Sequence, residues 1–600
     1  MKHFFRFYKL NFLLFRKRAF QNFLSKVNPK TFILISSLLV GILSGFAAAV
    51  LKSVVHFFQA ESKQLLDTTG IPFIIYLFPL AGIIISVLIV KYFFSGKLSK
   101  GLSSLIYNII RKKSDVPARD IFSHLFTSGA TVGMGGSVGL EAPIVVIGAS
   151  IGSNVSKEFK LNYHHRTLLL ACGAAAGISS IFNSPIAGVV FAFEVLLPDM
   201  SISSFIPLLL ASASSAVFSK LIYSGELIYL ATEGWHLYAL PYYLLLGIFC
   251  GFLSLYMIKI NLGIEKKLEN TKNTYARILT GGLLLSLIIF FLPPIFGEGY
   301  TTITSLLSNN NYGILSNSLF HNFSNPDLAL IIFVFLIILL KVVATSLTIG
   351  AGGNGGIIAP SLFTGGMLGF WLAFTLRYLG VVTLNQSNFI VVGMAGILAG
   401  VLHAPLTGIF LIAEITGGYI LIVPLMIVTA ISYFISKYFN KYSVYTSALA
   451  NRGIDFRSEK ESFSLQDVNL YSLVETDFYK LTPNMKFRDL ISKIQHTKRN
   501  LFPVVNAEDM LVGIVTLDDI REVMLEKEVY DVLLIYEIMN TTFQTIDITD
   551  DINKAIKIFE EKQVWNIAVV NGNKYLGFIS KSNLFNKYIS LWHKRRQEEI

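Results

Sequence analysis

Long apolar runs, repeatedly broken by glycine and proline, fill the chain from Thr31 to Ala450. Thr31 to Phe58 carries a single lysine and no acid, and Ile278 to Gly297 carries no charge at all. Both are long enough to cross the apolar layer of a bilayer as helices. Other runs are too short or too interrupted for a simple span. Irregular backbone at membrane depth must be buried in protein or line a cavity, because lipid offers its N–H and C=O groups no partner. The glycine-rich entries at 135–139 and 352–356 fit that condition. Ala142 to Ser156 is again uncharged and reads as a helix, with Pro143 in a first turn where its missing N–H is not needed.

After about Asn451 the pattern changes: charge becomes frequent and short β-branched runs appear. Phe502–Val505 followed by Val512–Ile520 matches Ile567–Val570 followed by Leu576–Leu584. Each unit reads as strand, turn, strand and a helix capped by Thr516 or Ser580, with helical patterns ahead of them at 487–495 and 553–562. The predicted organisation is a basic amphipathic segment at 1–30 and a membrane domain at 31–450. The membrane domain holds two repeats, about 31–258 and 278–450, joined by the charged linker Lys259 to Arg277. A second linker at 451–470 leads to paired small domains at 471–527 and 528–590.

The two repeats show in register. A shift of 217 positions carries Gly139 onto Gly356, Ala142 onto Ala359, Pro143 onto Pro360 and Gly148 onto Gly365. A shift of 220 carries Asn183, Pro185, Gly188 and Glu194 onto His403, Pro405, Gly408 and Glu414. Paired repeats in a membrane protein place a transport site where they meet. Glu194 and Glu414 are mates and read as structural acids, each bound to N–H groups near its own repeat's Pro-Gly turn. His403, the mate of Asn183, reads as a turn residue. Glu141 falls on Ile358 and has no mate. It sits at a helix start, beside free N–H groups and the positive end of the helix dipole, where an anion could bind. A carboxylate there must leave before a free anion can enter. The plainer reading is an acid that only complements the dipole, but a charge inside a membrane is costly and functional by default.

Composition agrees with this picture. The 600 residues are 53% hydrophobic and 15% charged, with a mean hydropathy of +0.59, as in a polytopic membrane protein with a soluble part. Residues 1–30 hold eight Lys or Arg and no acid. That suits an amphipathic segment on the cytoplasmic face, or a solvated basic tail, and no cleavable signal is evident. The net charge of +12 is read as cytoplasmic flanks, not as a nucleic-acid surface. Cys172 and Cys250 lie in apolar segments and read as core residues.

The membrane part resembles the CLC family of chloride channels and proton-coupled chloride exchangers. The marks are Gly139-Leu140-Glu141-Ala142-Pro143, the Asn183–Glu194 segment, Gly356-Ile357-Ile358-Ala359-Pro360 and Val444-Tyr445-Thr446-Ser447-Ala448-Leu449. The tail resembles a pair of CBS domains. The resemblance implies an all-α polytopic fold of two inverted repeats with many short or broken helices, plus a cytoplasmic α/β CBS pair. It implies a homodimer in the inner (cell) membrane with one pore per subunit. Glu141 would be the gate. The backbone around Gly139, Leu140 and Ala142, and around Gly356, Ile357, Ile358 and Ala359, would hold the anion, and Tyr445 would donate its hydroxyl. On composition alone Tyr445 could equally be an interfacial aromatic. An adenine nucleotide could bind the CBS pair, with Thr516 and Asp519 suited to a ribose and Asn583 replacing the acid in the second unit; the plainer role is a dimerising module.

The chain departs from the family pattern. Leu140 stands where a basic residue is usual, Ala142 replaces Gly, and Ile358 replaces Phe. The central-serine segment is best matched by Ser99-Lys100-Gly101-Leu102-Ser103, which puts Lys100 at the serine position. Either its ammonium raises the pore potential and joins the anion site, or the segment is a solvated helix start. Val195 stands where many exchangers carry a second glutamate. Proton delivery through a dry interior needs titratable groups or water, so the expectation leans to a voltage- and pH-dependent chloride channel, with a proton-coupled antiporter as the alternative. A magnesium carrier with a regulatory tail would need acids clustered toward a hydrated metal. An intramembrane enzyme would need a nucleophile–base pair or a metal-ligand pattern, and none is seen. No cofactor or metal is expected.

Overall fold

Proline and glycine set the ends of the helices. The computed structural model describes residues 28–587 except 70–71, 97, 100, 113, 198–201, 224–231, 272, 309, 317, 321–322 and 451–469. Nearly all of the basic segment 1–30 and of the linker 451–470, and Lys100 itself, therefore lie outside the described residues. Contacts divide the chain into two units, Met1–Asp455 and Phe456–Ile600.

The first unit is helical. Its first half runs α1 (Pro29–Thr69), α2 (Phe78–Phe93), α3 (Gly101–Arg111), α4 (Arg119–Gly133), α5 (Glu141–Glu158), α6 (Tyr163–Phe182), α7 (Pro185–Phe191) and α8 (Phe205–Ile222). The second half runs α9 (Leu240–Glu269), α10 (Thr274–Phe291), α11 (Tyr300–Leu307), α12 (Pro326–Ala351), α13 (Ile358–Tyr378), α14 (Gln386–Leu402), α15 (Pro405–Ile415), α16 (Ile422–Phe439) and α17 (Val444–Ala450). Among the described residues nine helices are long and apolar enough to cross a membrane, while α7, α14 and α15 are shorter apolar helices.

The duplication holds at the level of single hydrogen bonds. α6 and α14 both begin at an asparagine, Asn162 or Asn385, whose side chain accepts from the N–H three residues on at 2.9 or 3.0 Å. Both end on a residue in the left-handed region, Asn183 (φ 55°) or His403 (φ 58°). The expected turn role of His403 is thereby met. Gly135 (φ 87°) and its mate Gly352 (φ 112°) turn the chain after α4 and α12, in a conformation that a Cβ would penalise. Close approach of backbones repeats as well. A Cβ on Gly148 would stand 2.0 Å from Gly173 O, and one on Gly365 would stand 2.2 Å from Gly393 O. α5 against α6 and α13 against α14 thus pack through small residues, as membrane helices do.

One expectation is corrected. Glu194 and Glu414 do not bind their own repeats. Glu194 accepts from Leu406 N (2.9 Å), Thr407 N (2.7 Å) and Thr407 Oγ1 (2.7 Å) at the start of α15. Glu414 accepts from Ile186 N (3.0 Å) and Ala187 N (2.8 Å) at the start of α7. The two-fold axis lays α7 beside α15, so the open N–H groups of each face the acid of the other.

The second unit contains β1 (Leu501–Val505) and β2 (Leu511–Thr516), paired antiparallel, and a sheet of β3 (Thr545–Asp547), β4 (Asn566–Asn571) and β5 (Lys574–Ser580) in that order. β3 runs parallel to β4, and β4 antiparallel to β5. The two hairpins break register at matching points, Val504/Val505 and Val569/Val570. Helices Phe487–Ile494 and Ile552–Lys562 cover them. Phe487, Phe502 and Val515 fill one core, and Phe559, Val569 and Ile579 another. The expected strand–turn–strand–helix order is present. β3, three residues long, is too short to show as a periodic run.

Candidate functional site

The two glycine-rich entries meet. Gly139 N donates to Gly356 O at 2.9 Å and Gly356 N to Gly139 O at 2.7 Å, so each residue pairs with its own symmetry mate. The flanking threonines obey the same symmetry. Ser137 N donates to Thr348 Oγ1 at 3.3 Å, and Asn354 N to Thr131 Oγ1 at 3.1 Å. The starts of α5 and α13 are thereby held together. A Cβ on Gly356 would lie 2.9 Å from Ala142. Leu140 and Ile357 are the residues before each helix, Glu141 and Ile358 the first in each, and Ala142 and Ala359 the second. First-turn N–H groups have no partner within a helix. Two sets of them, with two positive dipole ends, converge here.

Glu141 is fully covered. Its carboxylate lies against its own N–H and that of Ala359, across the axis. Oε1 accepts from Tyr300 Oη at 3.3 Å. Oε2 has no partner of ordinary hydrogen-bond geometry among the described residues and packs over Gly139. Tyr445, on α17, is also buried, at 8% exposure. Its hydroxyl lies by the Ile357 backbone and within electrostatic reach of Glu141, again without an ordinary partner among the described residues. Ser103 Oγ donates to Tyr445 O at 2.9 Å and ties the first turn of α3 to this place. A buried hydroxyl without an acceptor is costly. Together with the helix-start N–H groups that the Glu141 carboxylate occupies, it makes a site suited to a small anion.

A family model described as "Voltage gated chloride channel" matches residues 81–437, and a CBS domain model matches 470–526 and 535–590. The chain belongs to the CLC family. As a CLC protein it is a membrane protein of anion transport. It is 27% identical over 427 residues to an H(+)/Cl(-) exchange transporter, ClcA, of Vibrio cholerae, covering 68% of this chain and 87% of the relative. It is 28% identical over 319 residues to a voltage-gated ClC-type chloride channel, ClcB, of Escherichia coli, covering 52% and 71%. The crystal structure of a slow cyanobacterial Cl−/H+ antiporter superposes with a TM-score of 0.60 at 21% identity, over 71% of this chain and 99% of that one. At that identity the likeness shows the fold.

In this CLC chain the structure brings together Gly139, Leu140, Glu141, Ala142, Gly356, Ile357, Ile358, Ala359 and Tyr445. Glu194 and Glu414 sit apart, on the helix pair described above. Sequence reasoning missed Glu298, Tyr300 and Lys341. Glu298 Oε1 accepts from Leu140 N at 3.3 Å. Lys341 is completely buried and donates to Ile295 O at 3.0 Å and Gly297 O at 2.7 Å. Both are single charges in apolar surroundings, and that was a usable signal. A polar string was missed as well. Asn354 Nδ2 donates to Thr127 Oγ1 at 2.7 Å and lies 3.1 Å from His124 Nδ1. Nδ1 must then accept, and Nε2–H donates to Ser99 Oγ at 2.8 Å.

In the tail, Asp519 Oδ2 accepts from Thr516 N and Oγ1, both at 2.7 Å, and Thr516 Oγ1 accepts from Asp519 N at 3.2 Å. The pair forms a capping box and spends one carboxylate oxygen on its own helix.

Proposed function

We propose that this chain exchanges chloride, or a similar monovalent anion, for protons, with Glu141 as the group that occupies the anion's place and carries the proton. The carrying observation is the carboxylate's position, fully covered and against the Ala359 amide at the start of α13. A charged carboxylate there competes with an anion for the same amides. Taking up a proton removes its hold on them, so anion entry and proton binding are linked. Tyr445 supports a neighbouring anion position. Holding the anion with dipoles and hydroxyls instead of a full cation keeps binding weak enough for release. The similarity to a protein named for H(+)/Cl(-) exchange supports the coupled reading. Val195, with no proton to give, favours the second reading, a voltage- and pH-dependent chloride channel with the same gate.

Reversal potentials in proteoliposomes under separate chloride and proton gradients decide between them. Exchange requires both gradients to move the potential; a channel follows chloride alone. Glu141→Gln is expected to make chloride flux insensitive to external pH, and a persistent steep dependence would count against the gate. We also infer a homodimer with one pore per subunit, in the inner membrane, with the N-terminus and the tail cytoplasmic. An adenine nucleotide at Thr516 and Asp519 is a narrower proposal, checked by nucleotide titration of the full chain.

A further inference from the structure

We propose that Glu298 is a second proton-exchanging carboxylate, a stage between the surrounding solution and Glu141, with Lys341 as its fixed counter-charge. The inference rests on the reading of Glu141 as the gate. Glu298 is partly exposed, whereas Glu141 is fully covered. It lies on the connection between α10 and α11, which is bound tightly to the gate segment. Gly297 N donates to Gly135 O at 2.9 Å, Ser137 Oγ to Ile295 O at 3.0 Å, and the Glu298 carboxylate accepts from Leu140 N at 3.3 Å. Two residues further on, Tyr300 reaches Glu141 itself.

On the other side of this connection stands Lys341, over the ring of Phe363 at 4.8 Å. Its hydrogen bonds among the described residues go to carbonyls, which carry no full charge, and a buried charge needs an opposite one. Glu298 is the carboxylate within its electrostatic reach. The groups facing Glu298 are Glu141 from α5, Tyr300 from α11, Lys341 from α12 and Lys52 from α1. Two lysines therefore favour one negative charge in the pocket, and two adjacent carboxylates disfavour a second. A proton leaving the Glu298 carboxyl for the Glu141 carboxylate makes the first an anion beside Lys341 and the second neutral. The pocket's total charge does not change, and the gate is discharged without meeting water.

The test is Glu298→Gln in the full chain in proteoliposomes, beside Glu141→Gln. Glutamine keeps an oxygen for the Leu140 N–H, and chloride flux at acid pH reports a folded protein. With its negative neighbour gone, the gate holds its own charge to lower pH. The midpoint of chloride flux against external pH is expected to move about one unit or more toward acid, and in an exchanger proton flux per chloride falls by roughly tenfold or more. The midpoint can be read whether or not transport is coupled. Glu298→Asp, which keeps the charge, is expected to hold the wild-type midpoint; a shift as large as that of Gln overturns the proposal by tracing the effect to fit. A Glu298→Gln protein with wild-type midpoint and proton flux overturns it and leaves the gate standing. A Glu141→Gln protein that keeps its pH dependence overturns both.

Discussion

At Gly139 there is no room for a methyl group. A Cβ would stand 2.0 Å from Glu141 Oε2 and 2.6 Å from Ala359 Cβ. Gly139→Ala is therefore expected to displace the carboxylate, raising chloride efflux at neutral pH and flattening its pH profile; an unaltered profile would show that the gate rests elsewhere. Tyr445→Phe removes the hydroxyl without changing the ring. Anion affinity should fall roughly threefold to tenfold, the worth of one hydrogen bond, in a chloride-binding titration. Lys100→Ser should also weaken binding if the ammonium joins the site, and equal affinity removes that idea. Glu141 stood out in the sequence because it is a lone acid in an uncharged run, with glycines before it and a proline two residues after it. Glu298 and Lys341 are lone charges too, but linear spacing does not say that a residue 158 positions away reaches Leu140. Tyr300 resembles any other aromatic in an apolar chain until its hydroxyl is seen against Glu141.

The helices carry the symmetry, and their mates should fail alike. Gly148→Ala and Gly365→Ala each push a methyl group onto a backbone carbonyl that cannot step aside. Each should cost about 1–3 kcal/mol, as overpacking does, and lower the thermal midpoint of the purified protein to a similar degree. A large effect at one position with none at the other would break the paired reading. Glu194→Ala leaves three donors at the start of α15 unserved and Glu414→Ala leaves two at the start of α7. Each loss is on the order of 1–3 kcal/mol, larger for Glu194, and the same melting measurement ranks them. The duplication itself could be read from constant offsets in the chain. The crossing of the two acids could not, because a sequence lists each acid with its own copy, whereas a two-fold axis exchanges their partners. The short apolar helices α7 and α15 were not legible either: their Pro and Gly read as a turn, whereas each proline stands in a helix's first turn.

On the scale of the whole molecule, the tail answers to different conditions from the membrane unit. The Arg499 guanidinium holds the Asp477 carboxyl below its ordinary 3.8, and Arg488 does the same for Asp531. A carboxyl lowered on folding adds stability above its unfolded value and loses it as pH falls through the folded one. Both pairs are exposed, so the effect is modest. Protection against hydrogen exchange in residues 470–587, taken relative to the intrinsic rate at each pH, should fall below about pH 4 and stay level between neutral pH and that point. The crossed acids of the membrane unit bear on how the protein is made. When the ribosome has delivered the first half, the N–H groups of Ile186 and Ala187 still await a carboxylate more than two hundred codons downstream. A chain stopped between the halves inserts with that end bare, so the half-synthesised polypeptide, not the finished one, is the species that quality control in the membrane must shelter or destroy.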